Sequence, residues 1–419
     1  TISGSAVANV VVDGAITIPM MKRAGYKAHV AAAVESVASN GGQIMPPVMG
    51  ATAFVMAQFL GITYAEVAIA AFVPAILYYL ALFVQIDLEA GKTGISRIPR
   101  EQLPSIVRVL IKGWVYIIPM AAIVYTLFIM NLNAAKSGFY AAAIALMVIP
   151  FRRDLRFDFR KFLSIFESSG RAMLELVVIN AVAGLVIGIL TLTGLAFVFT
   201  MFVERLGQDN MLLILVLTGI VALILGMGMP TTAVYVIVGL TLAPALVKLG
   251  IVPIAAHMFV FYWAMLSLIT PPICVAAYAG AALAGTNPMR TGYECMRLGI
   301  LGYLVPFIFV FDPLLLLKGS PLAVILAVTT AFVGTIAIGI GMVGYFVRPM
   351  GWIKRLLLIL GGTGLLIPPG GAIAYSWTIN LVGGAAACGI VLYEWHSRRN
   401  SAEPAGAVVF SQTGANKKV

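Results

Sequence analysis

Ser39-Asn40-Gly41-Gly42-Gln43-Ile44-Met45-Pro46-Pro47 interrupts an otherwise apolar helical stretch, and its Pro-Pro pair returns 225 positions later in Ala264-Met265-Leu266-Ser267-Leu268-Ile269-Thr270-Pro271-Pro272. Each copy runs on into small residues, predicted as helices over 48–57 and 273–282. Proline has no amide and a fixed φ, so a Pro-Pro pair breaks a helix. Inside a bilayer such a break strands carbonyls and amides that hydrocarbon cannot satisfy. It survives where protein, water or an ion takes up those groups. Two hydrophobic segments broken at corresponding points of two halves point to the midplane site of a secondary transporter.

Composition agrees with a bilayer setting. The 419 residues are 61% hydrophobic and 10% charged, with a mean hydropathy of +1.02, which is the usage of a polytopic membrane protein. A formal charge of +11 would suggest nucleic acid in a soluble chain. Here the basic residues sit in short loops between apolar spans, and no basic stripe interleaves with aromatics. Cys274, Cys295 and Cys388 share no metal-ligand spacing and read as inert thiols or small apolar fillers. The chain opens at Thr1, inside a hydrophobic element, and reads as a fragment whose N-terminal part is missing.

Apolar stretches fall at 1–21 and 28–60 around the basic turn 22–27, then near 65–85, 111–130, 138–150 and 172–203. A hairpin follows, 211–228 with 230–247 around Met229-Pro230, then the broken span 251–285 and spans near 298–317, 322–347, 352–367 and 372–394. If the 22–27 turn is cytoplasmic and full spans alternate, all but four of the 27 Lys and Arg lie on the cytoplasmic side. The four are Lys136, Arg205, Lys248 and Lys318. On this reading the hairpin ending in 1–21 enters from the cytoplasm and the one at 211–247 from the periplasm. Each precedes a Pro-Pro break, so the two halves read as inverted repeats.

The fold class expected is therefore an all-α polytopic membrane protein with inverted repeats, two re-entrant hairpins and two broken transmembrane helices. Residues 1–150 form the first repeat, N-terminally incomplete, and 172–316 the second. Between them 151–171, with Phe157, Phe159, Phe162, Leu163 and Phe166 among charges, reads as an amphipathic cytoplasmic connector. Residues 317–399 carry Gly-rich spans without a Pro-Pro pair and read as appended transmembrane helices. The polar tail 400–419 reads as disordered, and the topology leaves the C-terminus cytoplasmic.

Four elements converge on the midplane in this reading. The first hairpin brings Ser3-Gly4-Ser5-Ala6-Val7-Ala8-Asn9, where Ser5 and Asn9 share a helical face and present oxygens. The first break brings carbonyls around Gly41, Gly42 and Met45. The second hairpin brings Gly226-Met227-Gly228-Met229-Pro230-Thr231-Thr232, and the second break Ser267 and Thr270. Carbonyls, hydroxyls and helix C-termini suit a desolvated sodium ion. Half-helix N-termini near Pro47, Thr231 and Pro272 suit an anionic substrate. These motifs contain no carboxylate, which favours sodium over a proton relay. The plainer readings are that Ser3, Ser5, Thr231 and Thr232 are packing hydroxyls and that the Pro-Pro pairs are kinks. Asp13, His29, Glu35 and His257 lie in or near apolar stretches and are further candidates, while Glu175 and Asn180 read equally as a helix-pair hydrogen bond.

The run from Asn40 to Ala51 and the run from Gly226 to Thr232 closely resemble the large membrane subunit of tripartite ATP-independent periplasmic (TRAP) transporters. The resemblance covers about residues 1–316 and is nearest the fused-permease type that works with TAXI-class binding proteins, whose C-terminal extension resembles the helices beyond Pro321. It implies an elevator-type importer in a bacterial inner membrane, without ATP and without an organic cofactor. Uptake of organic anions, typically carboxylates, would be coupled to sodium ions, with substrate received from a periplasmic TAXI-type binding protein. The small-subunit helices would be fused in the missing N-terminal part. Carried over, one sodium site would use Ser5, Gly42, Met45 and Pro47, and the other Gly226, Ser267, Thr270 and Ile273. Substrate would meet Asn9, Gly41, Gly228, Thr231 and Thr232.

Two other classes are weighed against this. A stand-alone sodium/dicarboxylate carrier would need no binding protein. An intramembrane enzyme would need an Asp dyad or a Ser/His couple, and Asp13, His29 and His257 have no such companion in the sequence.

Overall fold

A computed structural model describes residues 4–95, 105–130, 132–148, 159–194, 198, 201, 205, 210–371 and 373–400. Ser3, the connector before residue 159 and the tail beyond residue 400 lie outside the described residues, as do the side chains of Phe162, Glu175 and Asn180. Among the described residues the chain is all-helical, with seventeen α-helices. Helices α4 (Tyr64–Thr93), α15 (Pro321–Val343) and α17 (Ser376–Asn400) are long and apolar enough to cross a membrane. So is the run 231–248, made of α9 (Thr231–Thr241) and α10 (Ala243–Lys248). A fifth crossing forms if α13 (Pro288–Leu298) and α14 (Ile300–Phe311), bent by 41°, are one span. The chain is an all-α polytopic membrane protein.

The other apolar helices are short because the sequence stops them. Helix α1 (Ala6–Ala24) starts on the Ser5 side chain and ends at Gly25. The first broken span is α2 (Ala28–Gly41) followed by α3 (Ala51–Leu60). The second is α11 (Pro253–Leu266) followed by α12 (Val275–Ala284), preceded by α8 (Met211–Gly226) and α9. Gly61 and Gly285 close α3 and α12 in the left-handed conformation, at φ of 64° and 67°. The next helix then opens on a side-chain cap, Thr63 in a capping box with Glu66 for α4 and Asn287 for α13.

Three boundaries differ from the sequence reading. The half-helices after the breaks begin at Ala51 and Val275, several residues beyond the prolines. The span expected near 298–317 instead bends within its first turn, at Gly299 between α13 and α14. The third is α7 (Phe159–Thr193), which runs unbroken from the connector into the following span, since no proline divides 159–193 and Gly170 alone is a weak stop.

Helices α5 (Ile106–Val124), with its π turn Tyr125–Ile129, and α6 (Ala134–Val148) form an antiparallel pair. They expose Ile106, Leu110, Trp114, Tyr116 and Phe139, an outward apolar surface natural in lipid. The largest core packs α2, α3, α4, α8, α9, α11 and α14 around fully buried Tyr78, Tyr235, Tyr262, Phe259 and Phe309. The C-terminal helices α15, α16 (Trp352–Leu366) and α17 pack as a bundle. Small residues let the bundle close: the backbones meet at Gly334 with Gly362 and at Gly361 with Gly383. At one end the buried Glu394 carboxylate accepts from Arg348 Nε at 2.6 Å and Lys354 Nζ at 2.5 Å. That hydrogen bond, with the charge of Glu394, raises the Arg348 guanidinium above its ordinary value.

Candidate ion and substrate site at the helix breaks

The first break, 42–50, is unwound yet well satisfied. The Gly42 amide donates to the Ala38 and Ser39 carbonyls, Met49 N donates to Met45 O at 3.3 Å, and Gly50 N reaches back to Gln43 O at 2.8 Å. Three tyrosines of α4 add hydroxyl donors, Tyr64 to the break itself and Tyr78 and Tyr79 to the α2 helix that leads into it. Tyr64 OH donates to Val48 O at 2.6 Å and also lies 3.0 Å from Pro47 O. Tyr78 OH donates to Val37 O at 2.9 Å and Tyr79 OH to Ala38 O at 2.8 Å. Beside them Gln43 Nε2 donates to Asn40 Oδ1 at 3.0 Å, both residues being buried. The Pro46–Pro47 bond is cis. A carbonyl has two lone pairs, so one that has already accepted a hydrogen bond still offers an oxygen to a cation.

The second break, 267–274, has the same Pro-Pro form, with Pro271–Pro272 also cis, but a different set of donors. Ser267 Oγ lies 3.0 Å from Gly226 O and 2.6 Å from Ala264 O. Thr270 Oγ1 donates to Leu266 O at 2.6 Å and lies at hydrogen-bond distance from Tyr303 OH. A hydroxyl whose proton is given to a carbonyl keeps its lone pairs free, the form in which it can ligate a hard cation. Ala276 N closes the loop onto Leu268 O at 3.0 Å, and Tyr278 OH caps Pro272 O at 2.6 Å.

Each hairpin tip seats on its own break. A Cβ on Gly4 would stand 3.3 Å from both Met49 O and Gly50 Cα. One on Gly226 would stand 2.5 Å from Ser267 Oγ and 2.6 Å from its Cβ, so only glycine fits there. The halves also exchange partners. Thr52 Oγ1, in the half-helix after the first break, lies 3.2 Å from Thr232 Oγ1 at the start of α9. In the reciprocal place α12 packs against α1 and α2: Lys22 Nζ donates to Ala284 O at 2.8 Å and Ser36 Oγ to Ala276 O at 3.0 Å.

The predicted residues thus fall into two groups. Gly226, Ser267, Thr270, Thr231 and Thr232 gather at the second break and its hairpin, and the Thr231 hydroxyl is buried without a partner among the described residues. Gly41, Gly42, Met45 and Pro47 line the first break, with Ser5 as the cap of α1 next to Gly4 and Asn9 one turn further on. Gly41 is closed off by the Tyr78 and Tyr79 rings, and Ile273 is 44% exposed, with its Cγ2 3.8 Å from where a Cβ on Gly228 would stand. Of the intramembrane ionisable residues, Glu35 accepts from Ser39 and Thr17 hydroxyls, and His257 Nδ1 pairs with Tyr235 OH at 2.8 Å. Asp13 is exposed, and His29 lines an open cleft with Arg290 and Arg297.

Sequence reasoning missed the tyrosines and Thr52. A signal for two of them existed: Tyr78 and Tyr303 stand 225 positions apart, the spacing of the Pro-Pro pairs, and each hydroxyl reaches its own broken span. Tyr64 and Tyr278 do the same work from unmatched positions and left no such mark.

With this geometry in view, comparison with known proteins gives a consistent answer. The family model "Tripartite ATP-independent periplasmic transporter, DctM component" matches residues 1–324. The C4-dicarboxylate TRAP transporter large permease protein DctM of Pseudomonas aeruginosa is 29% identical over 291 residues, covering 68% of this chain and 66% of that protein. The 2,3-diketo-L-gulonate TRAP transporter large permease protein YiaN of Escherichia coli is 26% identical, covering 75% and 74%. The sialic acid TRAP transporter permease protein SiaT of Haemophilus influenzae is 26% identical, covering 76% of this chain and 50% of its own length. The chain therefore spans just under two thirds of the first relative and half of the third.

Proposed function

This chain belongs to the DctM component family of tripartite ATP-independent periplasmic transporters, a transporter family and not an enzyme family, and we propose that it is the permease of a sodium-coupled importer of organic anions. The observation that carries the reading is the pair of Pro-Pro breaks, each with a hairpin tip seated on it and the two joined through Thr52 and Thr232. One sodium ion would sit at the first break among Ser5 and the backbone oxygens of Gly42, Met45 and Pro47. A second would sit at Gly226, Ser267, Thr270 and the backbone of Ile273. The substrate carboxylate would lie between them, near Asn9, Gly228, Thr231 and Thr232, where the N-terminus of α9 adds a favourable dipole, and Gly41, closed off by the Tyr78 and Tyr79 rings, would stand behind it.

In this proposal the halves 1–150 and 172–316 are inverted repeats and the breaks move with their hairpins as one unit, in the elevator manner. The unit would work in a bacterial inner membrane with the C-terminus cytoplasmic. Substrate would come from a periplasmic binding protein, of the TAXI class by motif resemblance, with small-subunit helices completing the membrane part. The names of the relatives supply the substrate class: a C4-dicarboxylate, a keto sugar acid and sialic acid are all carboxylates.

The test is uptake of labelled succinate, 2,3-diketo-L-gulonate and sialic acid by the complete transporter in proteoliposomes, with and without its binding protein. Accumulation of a carboxylate that requires the binding protein and an inward sodium gradient supports the proposal. Accumulation without the binding protein would instead identify a stand-alone sodium/carboxylate carrier.

A further inference from the structure

The C-terminal helices α15–α17 have no place in the two-repeat scheme, yet their contacts assign them to one side of it. Helix α4 is the element that grips the first break, through the hydroxyls of Tyr64, Tyr78 and Tyr79. Whatever carries that break carries α4. Helix α15 packs along α4 and is tied to it through their C-terminal parts. In the last turns of α15, Gly339 presses on α4 so closely that a Cβ there would stand 2.9 Å from Val84 Cγ1. At the end of α4 distant from the first break, Lys92 Nζ donates to Val343 O at 2.9 Å and Gly91 packs against the Tyr345 ring. The short turn Pro313–Leu316 also buries Leu314, Leu315 and Leu316 among α4, α14 and α15. The same turn meets the far loop of the module, where Gly371 packs on the Asp312 carboxylate.

The other candidate for a fixed support behaves differently. Among the described residues, α5–α7 reach the site-bearing helices chiefly through the π turn against α4 and through α7 against α9. No bundle of glycine contacts or charge-to-carbonyl ties joins them there. The outer faces of α16 and α17 expose Trp352, Ile353, Leu360, Leu381 and Leu392, a surface suited to sliding in lipid. The cations at one end of the module find partners within it, Arg348 and Lys354 on Glu394 and Arg355 on the Gly341 and Met342 carbonyls.

We infer that α15–α17 ride with the site-bearing unit as a rigid part of it, and do not belong to the surface, at α5–α7, against which the elevator reading has that unit move. The inference rests on the moving-unit reading proposed above. It makes the unit asymmetric, because the module clothes the flank of α4 and leaves the bent pair α13–α14 without an equivalent cover.

Two tethers separate the cases. In a Cys388→Ala background of the complete transporter, V84C with G339C places the Cβ of residue 339 at 3.4 Å from that of residue 84, at the short edge of disulfide geometry. Ala65→Cys with Leu127→Cys, bridged by a reductant-cleavable bis-methanethiosulfonate and with the cross-link verified by mass, joins α4 to the π turn across the cleft that both residues line. Oxidation of the first pair is expected to leave carboxylate uptake within about twofold of the reduced protein, and bridging of the second to abolish it reversibly. Should the first pair disturb folding, Lys92→Cys with Val343→Cys bridged by a bis-maleimide repeats the test at the other end of α4. Loss of uptake on closing the α4–α15 tether, restored by reductant, overturns the assignment of the module alone. Uptake that survives both tethers overturns the moving-unit reading and the assignment with it.

Discussion

The two breaks share a Pro-Pro pair and are built from different chemistry. The first is held almost entirely through backbone: amides of Gly42, Met49 and Gly50 on one side, and tyrosine hydroxyls on carbonyls from the other. The second is held by its own side chains, with Ser267 and Thr270 bonding inside the same segment and to Gly226 and Tyr303. In the proposed first site only Ser5 offers a side-chain ligand, so side-chain truncation can remove less from it than from the hydroxyl-built second site. The two halves should therefore answer mutation differently even if they bind the same ion.

The largest effect is expected where the comparison can be broken outright. Gly226→Ala puts a methyl group onto Ser267 Oγ at 2.5 Å, and overpacking of this kind costs about 1–3 kcal/mol, roughly 5- to 150-fold in sodium affinity. Sodium-dependent protection of the purified protein against heat would read that loss, and an unchanged sodium response would show that the tip does not seat on the break. Ser267→Ala comes next. Deleting a hydroxyl that serves a buried carbonyl costs about 1–2 kcal/mol, so sodium affinity should fall some 5- to 30-fold. Gly42→Ala, at a break whose ligands are carbonyls, should change the apparent sodium affinity by less than Ser267→Ala does. If the order reverses, the contrast between the breaks is wrong.

Smaller effects sharpen the comparison. Tyr64→Phe removes the hydroxyl from Val48 O and Pro47 O and should weaken the first site by about 1 kcal/mol. Tyr278→Phe removes the like contact to Pro272 O from a residue that is 37% exposed, where water can replace the lost donor, so its effect should be lower. Thr52→Val breaks the Thr52–Thr232 hydroxyl pair that joins the halves. Its cost, about 0.5–1 kcal/mol, should appear as weaker cooperativity between the two sodium sites, read from the steepness of sodium-dependent uptake.

Much of this architecture could be read in advance, for identifiable reasons. Proline without an amide and glycine without a side chain act locally, so the breaks at 46–47 and 271–272 and the tip at Gly226–Thr232 stand out in one dimension. The wiring of the breaks could not be read that way. Tyr64, Tyr79 and Thr52 act across distances of sixteen residues or more, and a tyrosine in an apolar helix looks like any other core aromatic. The bend at Gly299 was hidden because it falls within the first turn of an apolar run, where hydropathy marks only the run. The late starts of α3 and α12 had the same cause: apolar residues after each Pro-Pro pair look helical until tertiary bonds from Tyr64 and Tyr278 are seen to hold them open.

The central claim is that both breaks hold a coupling ion. Its most direct test is a sodium titration of carboxylate uptake by the complete transporter, run for the unaltered protein and for Thr270→Val, with potassium replacing sodium at constant ionic strength and pH. The account predicts a sigmoid sodium dependence with a Hill coefficient above about one, flattening towards one and shifting to higher sodium in the variant. Uptake that is indifferent to sodium and follows the pH gradient, in either protein, would contradict it.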